Sequence, residues 1–133
     1  MPEFNSIGTI KSKFEESASP DDMKKEESTI ILKKEFADGL DEISEYDYIK
    51  IVFHLHDAEG YELVGPRRYG GVRGVFASRT PYRPNAIGVT LVKLLERKGN
   101  KLRVTGLDAI DNTPVLDIKP YAAEIDDPEE KFA

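Results

Sequence analysis

Alternation of apolar and polar positions marks the middle of the chain. In "YIKIVFHLH", residues 48–56, Ile49, Ile51, Phe53 and Leu55 fall on one face of an extended strand, and Tyr48, Lys50, Val52, His54 and His56 on the other. That pattern predicts a strand with one buried face, and it turns His54 away from the core. "AIGVTLVKLLERKGNKLRVTGLDAI", residues 86–110, reads as two antiparallel strands joined by the glycine and asparagine turn of "RKGNK". "SIGTIKSKF" (6–14) predicts a first strand with little face preference. "STIILKKEF" (28–36) predicts a β-branched strand near a sheet edge, and "VLDIKPYAAEI" (115–125) a last strand.

The segments between are of another kind. Residues 15–28, "EESASPDDMKKEES", are charged, serine-rich and without apolar period, which predicts a mobile loop or a frayed helical turn outside the core. "ADGLDEISEYD" supplies turn chemistry with a single helical turn over 41–46, and the acidic tail over 127–133 is expected to fray. The sum is five to seven short strands with little helix. The fold class expected is all-β and mainly antiparallel, a small closed or partly open β-barrel forming one domain over residues 1–133.

Composition narrows the chemistry. With no cysteine there is no disulfide framework, thiolate metal site or cysteine nucleophile. His54 and His56 are the whole imidazole supply, and without further ligands nearby they predict no metal site. No apolar run is long enough for a membrane helix and the first residues lack a secretory pattern, so the expected location is cytoplasmic. No serine sits in a G-x-S-x-G elbow, and no G-x-G-x-x-G joins a strand to a helix.

The net charge of −6 conceals an asymmetry. Between Leu63 and Leu95 there is no acidic residue, while Arg67, Arg68, Arg73, Arg79, Arg83 and Lys93 lie there; the rest of the chain holds 13 basic against 25 acidic residues. A basic island in an acidic chain implies an anionic ligand met at one place, with cross-fold ion pairing as the alternative. Inside it, "GVFASRTPYRPNAIGV" (74–89) carries Pro81 and Pro84, which hold Thr80 and Arg83 extended and so stiffen a segment bearing Arg79, Tyr82, Arg83 and Asn85. Stiffness lowers the ordering cost of gripping a ligand; the alternative is a rigid crossing whose arginines satisfy loop carbonyls. Further on, "GLDAIDNTPVLDIKPY" offers Asp108, Asp111 and Asp117. Asp111 reads as a turn former bonding nearby backbone, with direct catalysis as the alternative.

"GVFASRTPYRPNAIGVTLVKLL" and "GLDAIDNTPVLDIKPY" together resemble the two signature blocks of the TrmO (TsaA-like, YaeB) family of S-adenosylmethionine-dependent tRNA methyltransferases. "SIGTIKSKF" and "YIKIVFHLH" stand in the order that family shows, so the resemblance spans residues 6–126. It implies a small β-barrel, usually a homodimer with sites near the subunit interface. It also implies S-adenosylmethionine as cofactor and methyl transfer to the exocyclic amino nitrogen of threonylcarbamoyladenosine beside a tRNA anticodon. Carried over by motif, His54, Leu55, Arg79, Val89, Asp108, Ala109, Ile110, Asp111, Asn112 and Thr113 would contact the cofactor. Arg83 and Asn85 of the same signature would shape the pocket or meet RNA; Arg67, Arg68 and Arg73 of the basic window stand as RNA contacts or as salt-bridge partners, and His54, Tyr82 and Asp111 as alternatives for the proton acceptor. The chain departs from the pattern in "SASPDDMKKEES", which lacks the family's early glutamine, in Ala86 where proline is common, and in Asn112 in place of glycine. Longer members continue into a second, smaller domain beyond the point matching residue 133, which leaves a same-fold methyltransferase on another substrate, or a cofactor-binding module without transferase activity, as rival readings.

Overall fold

Six strands curl round one apolar cluster and close on themselves. The computed structural model of the chain describes residues 2–16 and 18–133. The barrel strands are β1 (Gly8–Lys11), β2 (Glu27–Leu32), β3 (Tyr48–His54), β6 (Ile87–Lys98), β7 (Lys101–Thr105) and β8 (Thr113–Pro120), in the order β1-β2-β7-β6-β3-β8, with every neighbouring pair antiparallel and β8 returning to β1. Two three-residue strands, β4 (Val64–Pro66) and β5 (Val72–Gly74), form a separate hairpin. They bring the total among the described residues to eight strands, one more than the expected five to seven, and lie in a glycine-rich stretch without apolar alternation.

The alternation of β3 is realised: Ile49, Ile51 and Phe53 are buried while Tyr48 and His54 are exposed. They join Ile10, Ile30, Leu32, Val92, Leu102, Val104 and Val115 in the core, which Leu40, Ile43, Leu107 and Ala109 complete from outside the strands. Each fully buried aliphatic side chain contributes about 1.5–3 kcal/mol. Phe53 needs room that only glycine leaves, since a Cβ on Gly88, its partner across the β3–β6 ladder, would lie 2.6 Å from the ring. The β6–β7 hairpin turns at Gly99 and Asn100, as the sequence predicts. Asn100 also donates its side-chain amide to Leu32 O at 2.6 Å and accepts from Leu32 N, fastening the end of β2.

Four expectations are corrected. β2 is no edge strand, because closure gives it a partner on each side. It stops at Leu32, after which residues Lys34–Leu40 form a 3-10 turn whose carbonyls at Ala37 and Leu40 accept from Arg97. The 15–28 segment, of which position 17 lies outside the described residues, carries helix α1 (Pro20–Lys24) and supplies Met23 and Ser28 as buried residues. Proline opens α1 and two aspartates occupy its first turn, both favourable for a helix start. The last strand ends at Pro120 rather than at 125, and α2 (Ala123–Asp126) and α3 (Pro128–Lys131) follow it, the second started by Asp127 accepting from Glu129 N. α2 is held to β3 by Lys50, which pairs with Asp126. No helix among the described residues is long and apolar enough to cross a membrane.

Candidate functional site

A groove of about 1130 Å3 runs between β6 and the segments that precede it. Its lining comes from β6 (Val89, Thr90, Leu91), from Asp108 after β7, from Ser78 to Tyr82 in the proline-stiffened loop, from residues 59–62 and 66–69 around the hairpin, and from Pro20 and Lys24 of α1. Val89 and Leu91 are exposed and offer apolar surface, whereas the next inward residue, Val92, is core.

Two polar groups in the groove are held yet incompletely used. Thr90 Oγ1 donates to Asp108 Oδ1 at 2.7 Å, which orients the carboxylate, and Oδ2 has no partner among the described residues. Arg79 donates one N–H to Val89 O at 2.8 Å, tying the stiff loop to β6, and its remaining guanidinium N–H groups make no hydrogen bond among the described residues. Together they set a cation and an anion acceptor beside an apolar strip.

The other arginines of the basic window divide sharply. Arg83 donates to Ser78 O and Thr80 O, so it braces the loop from within and does not line the groove; Asn85 does not line it either. Arg67 reaches Glu62 O at 2.8 Å and Arg73 O, and Arg73 reaches Gly70 O and Ala77 O. Gly70, at φ 85°, makes this brace fit: a Cβ there would lie 2.6 Å from the Arg73 guanidinium carbon. Arg68 is exposed, lines the groove and makes no hydrogen bond or ion pair among the described residues.

Of the residues carried over for the cofactor, Arg79, Val89 and Asp108 line the groove. His54 is exposed at the end of β3, opposite Ile87, and half-buried Leu55 donates its N–H to Ala86 O; neither lines the groove. Ala109, Ile110 and Thr113 are buried, with Thr113 Oγ1 donating to Ile110 O. Asp111 accepts from Ser12 N at 3.0 Å, and Asn112, at φ 68°, accepts from Lys11 Nζ, so this turn ties the start of β8 to the end of β1. The expected turn role of Asp111 takes this form, with the bond made to a residue 99 positions away rather than to its own neighbourhood. Of His54, Tyr82 and Asp111, Tyr82 alone lines the groove. Among the described residues no three of His, Cys, Asp and Glu gather as metal ligands. Lys24, Tyr61, Tyr69 and Thr90 line the groove without having been singled out from sequence; tyrosines interleaved with arginines in "YELVGPRRYGG" were the signal that could have found two of them.

The sequence profile of the tRNA-methyltransferase O N-terminal domain matches residues 8–127. A probable S-adenosyl-L-methionine-binding protein of Pyrococcus abyssi is 43% identical over 131 residues, covering 92% of this chain and 70% of that protein. The mouse tRNA (adenine(37)-N6)-methyltransferase is 47% identical over 93 residues, covering 68% of this chain and 21% of that protein. The crystal structure of TrmO from Pseudomonas aeruginosa superposes with a TM-score of 0.78 at 32% identity, covering 96% of this chain and 59% of that one. This chain thus spans about a fifth of the mouse protein and under two thirds of the Pseudomonas aeruginosa one.

Proposed function

This chain belongs to the tRNA-methyltransferase O N-terminal domain family, and from that premise we propose that it is an S-adenosylmethionine-dependent methyltransferase acting on tRNA, with the β6 groove as its site. The observation that carries the reading is that Arg79 and Asp108, opposite in charge and each with hydrogen-bonding capacity left over, line one groove.

The donor set fits the cofactor. S-adenosylmethionine carries a carboxylate, an ammonium, a ribose diol and a flat adenine: Arg79 would hold the carboxylate, Asp108 Oδ2 would accept from the diol or the ammonium, and Val89 and Leu91 supply apolar surface for the adenine. When bound, it supplies an electrophilic methyl group. The chain's own task is then alignment, and both grips are pre-set: Asp108 by Thr90, and Arg79 by the β6 carbonyl and the proline-stiffened loop. The accepting amino nitrogen must give up a proton, and Tyr82 is the candidate of the original three that reaches the groove. The substrate nitrogen we assign is the exocyclic one of threonylcarbamoyladenosine, a member of the N6-adenine class named for the mouse relative.

A homodimer belongs to the same reading. Leu63, Val64, Val72 and Phe76 on and around the hairpin are all more than half exposed and lie off the groove, the type of apolar surface a second copy would cover. A cytoplasmic location accords with the substrate. The second reading, a cofactor-binding module without transferase activity, is favoured by one fact: the Pyrococcus relative, of which this chain covers 70%, carries a name that states binding alone.

Calorimetry and nucleoside mass spectrometry separate these. S-adenosylmethionine binds the wild type, and Arg79→Ala weakens binding at least tenfold. tRNA from cells lacking the gene loses methylated threonylcarbamoyladenosine. Binding without any change in tRNA nucleosides would leave the binding module, and no binding would reject both.

A further inference from the structure

Three tyrosines share the groove with Arg68, the window arginine whose guanidinium makes no hydrogen bond or ion pair among the described residues. Tyr61 precedes the hairpin, Tyr69 sits in its turn and Tyr82 lies between Pro81 and Pro84, and the three residues are 53%, 72% and 50% exposed. Tyr46 and Tyr48 are exposed elsewhere, whereas these three lie open along one groove. Arg68 lies with its guanidinium carbon 5.5 Å from the Tyr69 ring centroid. Lys24, Arg67, Arg68, Arg73 and Arg79 line this groove against Glu59, Glu62 and Asp108, so it is net positive in a chain of net charge −6.

We propose that Tyr61, Tyr69 and Tyr82 form a stacking cradle for unpaired RNA bases, with Arg68 as the phosphate contact and Arg67 and Arg73 as braces that hold the hairpin still. The inference rests on the tRNA-methyltransferase reading and specifies how the substrate is held. RNA is recognised chiefly where bases are unpaired and splayed onto aromatic faces, because its deep major groove admits no side chains. A base taken for methylation leaves unstacked neighbours, and each π-face is accepted whatever the base. Rigidity follows from the guanidinium bonds to Glu62 O, Arg73 O, Gly70 O and Ala77 O, which fix the arm before RNA arrives. Those bonds hold Arg67 and Arg73 in place through two N–H groups each, whereas Arg68 makes none among the described residues, which is why the phosphate is assigned to Arg68.

The test is equilibrium binding of a labelled tRNA anticodon stem–loop at several salt concentrations, with cofactor calorimetry and methyl transfer measured on the same proteins. Tyr61→Ala and Tyr69→Ala each weaken RNA binding at least fivefold with the salt slope unchanged, since stacking releases no counterions, whereas Tyr69→Phe stays within twofold of the wild type. Arg68→Ala reduces the salt slope by about 0.7 and keeps cofactor affinity. Wild-type RNA binding and methylation alongside undiminished binding by Tyr61→Ala and Tyr69→Ala would overturn the cradle and leave the methyltransferase reading intact. Loss of S-adenosylmethionine affinity in those two variants would place the tyrosines on the cofactor and also overturn it. A wild type that neither binds nor methylates the RNA would remove the tRNA reading and the cradle together.

Discussion

Thr90 and Asp108 meet at 2.7 Å across the gap between β6 and the segment after β7, hydroxyl to carboxylate, 18 residues apart in sequence. The bond leaves one oxygen of Asp108 for a ligand and fixes where it points. Thr90→Val, which keeps the shape and removes the donor, is expected to weaken S-adenosylmethionine binding about tenfold, in line with the ~1.5–3 kcal/mol of a hydrogen bond to a charged group. Thr90→Ser should restore most of it. Calorimetry on the two variants checks this, and equal affinities would show that the bond does not position the carboxylate.

Arg83 holds the stiff loop by its carbonyls at Ser78 and Thr80. Arg83→Ala removes both bonds from a half-buried site, so the protein should lose about 1–3 kcal/mol in urea unfolding. Cofactor affinity should fall too, because Arg79 rides on the loop. The salt slope of RNA binding should not change. A slope reduced in that variant would make Arg83 a phosphate contact.

Gly88→Ala sets a methyl group against the Phe53 ring. The inner strands cannot part without breaking the β3–β6 ladder, so an unfolding loss of about 1–3 kcal/mol is expected. Phe53→Leu in the same background should recover part of that loss, measured as a double-mutant cycle. Additive effects would place the strain elsewhere.

The Asp126 carboxyl is held below the ordinary carboxylate range, first by the Ala122 N–H that it accepts and then by its hydrogen bond to Lys50. A group whose folded pKa is depressed contributes stability above its unfolded pKa and loses that contribution as pH falls through the folded value. Urea midpoints should therefore drop more steeply for the wild type than for Asp126→Asn as pH is lowered from about 5 through the carboxylate range. Parallel curves would show that the α2 contact does not report on proton binding.

Much of this was legible along the chain. The alternation of β3 predicted its buried face, the glycine and asparagine turn predicted the β6–β7 hairpin, and two prolines in "RTPYRPN" predicted a stiff polar segment. These signals are local: side-chain period, turn propensity and restricted φ act between residues a few positions apart. The acid-free window over residues 63–95 likewise supplies four of the five basic residues that line the groove.

Local signals could not separate residues of one type. Asp108 and Asp111 stand three positions apart, yet one is oriented by Thr90 in the groove while the other accepts from Ser12 in a turn that fastens β8 to β1. Arg67, Arg73 and Arg83 satisfy carbonyls, while Arg68, beside Arg67, makes no hydrogen bond or ion pair among the described residues and lies over the Tyr69 ring. The acidic 15–28 segment, without period, still sends Met23 into the interior and Lys24 to the groove. The sequence by itself determined the barrel, its stiff loop and its charge asymmetry. Only closure of the barrel decided which polar groups were used up in holding it together, because each hydrogen-bond partner is supplied by whichever distant strand or loop is folded against it.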